Sequence, residues 1–271
     1  MSGTGISFGC ISVINGIVNG KAAVIGINLK TEAVFTEGGS GQIIEIVGSE
    51  STDDNLARIC VRRTLEHIGI DTKTSYHLRI ESQIPPSRGL KSSSSVCNAV
   101  VKAVAEAYHY DIPVLDAVLL GVECAREAKV TITGSFDDAC GCEFGGLIYT
   151  DNTKDEIVRR EPVGRYDVIL CVPENIKVRV PHEAYKAVSD RMCQIQKIAE
   201  TDPLKALTLN GRLIAEVTKT STEAMDLAIG AGALAAGVSG TGPAIAIVTE
   251  PGKGAEIAGK LPFKTIITET R

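Results

Sequence analysis

The tightest constraint on how this chain folds is a junction near its first third. Residues 76–84, YHLRIESQI, alternate apolar and polar as a half-buried strand does. Pro85 and Pro86 end that strand, because neither can donate to a ladder. Beyond them Val96, Ala99, Val100, Ala103, Val104 and Ala107 recur at the spacing of an amphipathic helix. Between strand and helix lie Ser87, Arg88, Gly89, Leu90, Lys91 and four successive serines, Ser92, Ser93, Ser94 and Ser95. The junction therefore reads strand, glycine- and serine-rich loop, helix.

Such a loop has two readings. In one, a single serine caps the helix and the others are solvated. In the other, the loop cradles an anion. A helix N-terminus presents backbone N–H groups without partners and a partial positive charge. Gly89 lets a ligand approach the backbone, the hydroxyls add polar contacts, and Arg88 and Lys91 add charge, which together suit a polyphosphate. The Pro-Pro pair and a second glycine-rich turn, GVSGTGP at 237–243, favour the cradle. It is not a Walker A loop. The nearest approach to one, Gly16 to Ala22, is a residue short between its glycines and carries alanine where a hydroxyl is required. Gly3-Thr4-Gly5 has no preceding strand and is no dinucleotide fingerprint.

The remaining chain alternates irregularly between strand and helix patterns. Residues 11–48 read as short strands with tight turns, and 52–70 as a helix capped by Thr52 or Asp53, with Leu56, Ile59, Cys60, Arg63 and His67 on one face. A helix is expected over 114–129 with Leu115, Val118, Leu119 and Val122 inward, and loop followed by strand over 131–151. After about residue 150 the pattern restarts: strand 166–173, helices 183–201 and 202–219, then helix, glycine-rich turn and strand, and a closing strand over 264–270. This implies an α+β protein of two halves, 1–150 and 151–271, packed together with no linker. A net charge of −5 argues against a nucleic-acid footprint, so an anionic ligand must be met by local positive groups. No apolar run is long enough to span a membrane and no basic segment opens the chain, so a cytoplasmic protein is expected. The eight cysteines are expected to be reduced, buried apolar groups; only Cys140 and Cys142 are close in sequence, and no histidine stands at metal-finger spacing from them.

The junction resembles the P-x-x-x-G-L-G-S-S-A-A phosphate loop of the GHMP small-molecule kinases. Gly237-Val-Ser-Gly-Thr-Gly-Pro-Ala resembles their late glycine-rich motif, and the segment from Glu127 to Asp138 resembles the stretch in which a glutamate precedes an aspartate. The three motifs stand in the family's order. Residues 12–33 and TGSFDDA resemble the archaeal shikimate kinase branch in particular. Two departures stand out. The usual first GHMP motif is missing, and Lys91 occupies a position where a glycine is common.

The resemblance implies a GHMP kinase fold, with an N-terminal half like domain 2 of ribosomal protein S5 and a ferredoxin-like C-terminal half. It implies ATP and Mg²⁺ as cofactors and shikimate as acceptor, with homoserine kinase or a non-catalytic ligand sensor of the same fold as alternatives. It places ATP phosphates on Pro86, Ser87, Arg88, Gly89, Leu90, Lys91, Ser92, Ser93, Ser94, Ser95 and Val96, with Gly240, Thr241 and Gly242 packed on that loop. Ser93 and Glu127 would hold Mg²⁺, a hydroxyl and a carboxylate completing a shell of phosphate and water oxygens. Asp137 would be the base for the acceptor hydroxyl, with Asp138 as the alternative. Asn15 and Lys21 are the candidates for substrate contact.

Overall fold

The computed structural model describes residues 1–48, 53–131, 135–173 and 180–271. Its first sheet is built on a long hairpin. Strand β1 (Ser2–Ile14) runs antiparallel to β2 (Lys21–Glu37) along nearly the full length of both. The other edge of β2 is shared. Its first half pairs with β5 (Leu147–Asp151), which pairs with β6 (Glu156–Glu161). Its second half pairs with β4 (Tyr76–Ser82), which carries β3 (Gln42–Ile46) in the one parallel pairing among the described residues. Residues 2–10 had no strand signal, because Gly3 and Gly5 replace the β-branched residues that normally give one. The structure shows why they are glycines: a Cβ on Gly5 would stand 1.8 Å from the carbonyl oxygen of Ala99 on the overlying helix.

That helix is α2 (Ser92–Ala107), and it is buried on almost every side. It lies between the sheet and the helices α1 (Asn55–His67) and α3 (Val114–Glu127), which explains an apolar content that runs around the whole helix. Two of the expected helix faces are rotated. On α1 the inward residues are Ala57, Cys60, Val61, Thr64 and Leu65, so that Arg63 and His67 face outward. On α3 they include Ala117, Val118, Gly121, Val122 and Ala125, and Leu115 is exposed. The faces turned to α2 mix small residues with Leu65 of α1 and Leu120 of α3. Thr52, one of the two expected caps of α1, lies outside the described residues. The N-cap position is Asp54, with no side-chain cap, and Asp53 accepts a hydrogen bond from the Asn55 N–H at 3.2 Å.

The second sheet has the order β10-β7-β9-β8, formed by β7 (Asp167–Cys171), β8 (Ala235–Val238), β9 (Ile245–Thr249) and β10 (Thr265–Glu269). All its pairings are antiparallel. Counted within the sheet this is the 4-1-3-2 order of a ferredoxin-like split βαβ arrangement. Its helices are α5 (His182–Lys186), α6 (Ser189–Ala199), α7 (Pro203–Thr218), α8 (Glu223–Gly230) and α9 (Gly254–Ala258). The single helix expected over 183–201 is thus two, broken at Ala187 and Val188. The α7 start follows its sequence: Asp202 accepts from the Lys205 N–H, and Pro203 fills the first turn.

The two sheets share one core. Ile11, Ile14 and Ile25 of the first hairpin belong to the same buried cluster as Val168 and Ile247 of the second sheet and Leu213 of α7. Polar contacts fasten the seam. Arg271 N–H donates to Gly26 O at 3.0 Å, and the Tyr149 hydroxyl donates to Ala199 O at 2.6 Å. Among the described residues no helix is long and apolar enough to cross a membrane. Seven of the eight cysteines are buried and Cys193 is exposed, and all are free.

Candidate active site

The phosphate-loop candidate lies between β4 and α2, and its backbone is unusual. Ser87, Gly89 and Lys91 have φ of 58°, 82° and 69°, while Arg88 and Leu90 between them do not have positive φ. Alternation of hand along a chain turns successive N–H groups toward one point, the geometry of an anion nest. Leu90, 1% exposed, anchors the loop in the core. The helix starts earlier than its apolar spacing suggested. The four serines form its first turn, with Lys91 as N-cap and no side-chain cap. Ser93 is exposed, whereas Ser94 and Ser95 are buried. The capping reading of the serines therefore fails, and the free N–H groups of the first turn stay available.

The late glycine turn packs directly on this loop. A Cβ on Gly89 would fall 2.2 Å from Ser239 O, so only glycine fits there, on steric grounds as well as for its φ. The Ser239 hydroxyl donates to Gly89 O at 2.9 Å, and Ala244 N–H donates to Arg88 O at 3.1 Å. Gly240 lies against Gly89 and the Lys91 ammonium. Gly242, with φ of 76°, closes the turn, and Thr241 between them is half-buried.

Residues 136–144, expected to be loop, form a short helix, α4 (Phe136–Phe144), with Asp137 and Asp138 in its first turn. Their two environments differ. Asp138 meets the Lys91 ammonium at 2.8 Å. That ammonium, 6% exposed, also donates to the Ser12 hydroxyl at 3.0 Å, and the Ser12 oxygen accepts Gly240 N–H at 3.0 Å. Lys91 thus turns inward and links the phosphate loop, β1, the late glycine turn and α4. Burial disfavours its charge, but Asp138 and its other acidic neighbours more than offset this and hold its pKa above the ordinary lysine value. Among the described residues Asp137 has no ion-pair partner of its own. Burial, and then the charge of Asp138, push its carboxyl up to about 7, against the opposing pull of Lys91 and of hydrogen bonds from Asn152 and the Asp138 N–H. A buried carboxyl that titrates near neutrality is suited to receive a proton.

The other candidates are placed as follows. Asn15 is a strut rather than an open contact group. Its side-chain amide donates to Gly240 O at 2.5 Å, its side-chain oxygen accepts Ile17 N–H at 3.0 Å, and its own N–H donates to Asn210 Oδ1 at 3.0 Å. Lys21 is exposed at the start of β2, paired in register with Asp151. Glu127, at the end of α3, is engaged by the guanidinium groups of Arg62 and Arg63 on α1. Its side chain is 45% exposed, and an ion pair so open to water contributes about 1 kcal/mol or less. No contact joins Glu127 to Ser93 among the described residues, and a pair so open to water leaves the Glu127 carboxylate accessible to a cation. Sequence reasoning missed Ser12, Ser239 and Asn152. The only available signal was Lys91 in a glycine's place.

A loop nest on a helix N-terminus, closed by a glycine turn from the second half of the chain and floored by a buried aspartate, is the arrangement expected of a GHMP kinase. Comparisons with known proteins agree. The GHMP kinases N-terminal domain matches residues 55–146, and the GHMP kinases C-terminal domain matches 195–265. This chain belongs to the GHMP kinase family. Its relatives include the shikimate kinase of Methanothrix thermoacetophila, 37% identical over 264 residues that cover 95% of this chain and 88% of that one. The shikimate kinase of Pyrococcus furiosus is 34% identical over 276 residues, covering all of both. Among solved structures the fold is shared with Methanococcus jannaschii mevalonate kinase, at a TM-score of 0.81, 18% identity, and coverage of 100% of this chain and 98% of that one. It is also shared with Cytophaga hutchinsonii homoserine kinase, at a TM-score of 0.71, 17% identity, and coverage of 99% and 94%.

Proposed function

We propose that this kinase transfers the γ-phosphoryl group of MgATP to a hydroxyl of shikimate, giving shikimate 3-phosphate and ADP. The observation that carries the reading is the buried Asp137 carboxyl beside the nest, in a chain that resembles archaeal shikimate kinases along nearly its whole length. The nest at residues 87–91 and the first turn of α2 bind the phosphates through backbone N–H groups. Ser93 and Glu127 would hold a Mg²⁺ ion, which would supply charge neutralisation at the transferring group. Asp137 accepts the proton of the attacking hydroxyl. Asp138, held by Lys91, stays in its ion pair and keeps the negative field that sustains the basicity of Asp137. Phosphoryl transfer asks mainly for position and charge neutralisation, so one base, one cation and a rigid loop suffice.

The test is ADP release by the purified chain with MgATP, given shikimate or homoserine separately. Release with shikimate alone is expected. Release with homoserine alone would keep the site and overturn the substrate. ATP binding without turnover on either would favour a ligand sensor.

A further inference from the structure

Asp137 is held by one residue that no motif includes. Asn152 follows β5, is 6% exposed, and meets Asp137 twice. Its side-chain oxygen accepts the Asp137 N–H at 3.1 Å, and its side-chain amide donates to Asp137 Oδ1 at 2.7 Å. The amide has no freedom to turn over. The same oxygen accepts the buried Thr150 hydroxyl at 2.8 Å, so two donors face it and the NH₂ end must point at the carboxylate. The backbone of Asn152 is fixed as well, since its N–H donates to Gly20 O at 2.8 Å. Across the amide stands Gly16, where a Cβ would come within 2.7 Å of Asn152 Nδ2. The β1–β2 turn is therefore cut away to admit this side chain.

We infer that Asn152 is the positioning residue of the reaction: it fixes the rotamer of the Asp137 carboxylate, occupies one of its oxygens, and leaves the other for the acceptor hydroxyl. The inference rests on the reading of Asp137 as the base. A hydrogen bond to the charged form of an acid favours ionisation. Asn152 therefore also sets the pH at which the base works, against the burial that opposes it. The other charged or titratable groups facing Asp137 are Asp138 on its own helix, Lys91 on the phosphate loop, and the buried Cys140 thiol on α4, with Cys10 of β1 behind Lys91. None of these donates to Asp137 through a neutral side chain, so the Asn152 contribution can be removed separately.

The experiment is the pH profile of kcat for the full chain and four variants. Asn152→Asp keeps the shape and the two bonds to its oxygen but turns an acceptor toward Asp137. Its kcat at pH 7 should fall at least about tenfold, and the limb on which activity rises with pH should move up by about one pH unit or more, with recovery in alkali. Thr150→Val, which frees the amide to rotate, and Gly16→Ala, which presses on it from the other side, should move the limb the same way by less. KM for MgATP should not change. An unmoved limb, with or without a uniform loss of kcat or melting temperature, would make Asn152 a structural residue and overturn the inference. Asp137→Asn separates the two claims. It should be inactive at every pH. If it is inactive while the Asn152→Asp limb stays put, Asn152 alone loses its role; if it stays active, the base assignment falls and the inference with it.

Discussion

Replacing Asp137 by asparagine should destroy activity and stabilise the protein, and the second effect should depend on pH in a calculable way. Folding carries this carboxyl from 3.8 to about 7. Between those values the native state keeps a proton that the unfolded chain has released. The associated stability is fully present below pH 3.8 and is lost as pH rises through about 7. At pH 8 the loss amounts to about 4 kcal/mol. Asparagine never ionises, and its side-chain oxygen can still accept from Asn152. The stability of Asp137→Asn relative to wild type should therefore climb by about 1.4 kcal/mol per pH unit between pH 4 and 7 and then level off. Between pH 5 and pH 8 the gap should widen by about 2–3 kcal/mol. Urea titrations at several pH values measure it, since the midpoint shifts at constant slope. Parallel stability curves for the two proteins would refute the claim that Asp137 titrates near neutrality in the folded state, whatever the activity assays show.

Two further substitutions test the frame around the base. Lys91→Gly would relieve a left-handed non-glycine residue, worth about 1 kcal/mol, but would strand Asp138 without its partner, at about 3–5 kcal/mol. A net loss of about 2–4 kcal/mol in urea is expected, recovered in large part by adding Asp138→Asn; a variant as stable as wild type would show that loop conformation outweighs charge. Gly89→Ala forces a methyl into Ser239 O at 2.2 Å and strains a φ of 82°, so the loop must leave the glycine turn. KM for ATP should rise by at least about tenfold, and an unchanged KM would remove this loop from the phosphate site.

The parts of this site written in one contiguous run were legible in the sequence. The switch from period two to period 3.6 across residues 76–107, with prolines and a glycine between, specifies a strand, a loop and a helix whatever else the chain does. The first turn of α2 was misplaced because serine has no apolar signature and favours caps, yet here buried Ser94 and Ser95 are helical. Helix α4 was unreadable because nine residues containing a glycine and two cysteines carry no clear helical period, and tertiary packing of Phe136 and Ala139 supplies what propensity does not. Asn152 left no trace at all. Its meaning depends on the β5 end meeting the α4 start, fifteen positions away, and on a glycine cut-out in a third segment. Lys91 was visible as an anomaly, but sequence alone gave no direction for its side chain.

That direction changes how the site works. A lysine in a phosphate loop invites the role of phosphate ligand, yet its ammonium is committed to Asp138 and Ser12 before any nucleotide arrives. The floor of the site then holds one cation against two carboxylates, in a volume that excludes most water. Among the described residues one carboxylate is paired with the cation and the other with a neutral amide, and the second is the base. Its strength comes from dryness, and dryness depends on both sheets. Ser12 and Asn15 lie at the end of β1, while Ser239, Gly240 and Asn210 belong to the second half of the chain, and these groups bond to one another across the seam. Opening that seam would wet Asp137, let its pKa fall toward 3.8, and release Gly89 from Ser239 in the same movement. Phosphate binding and base strength are therefore properties of one closed state, and a substitution that loosens the seam should weaken both together.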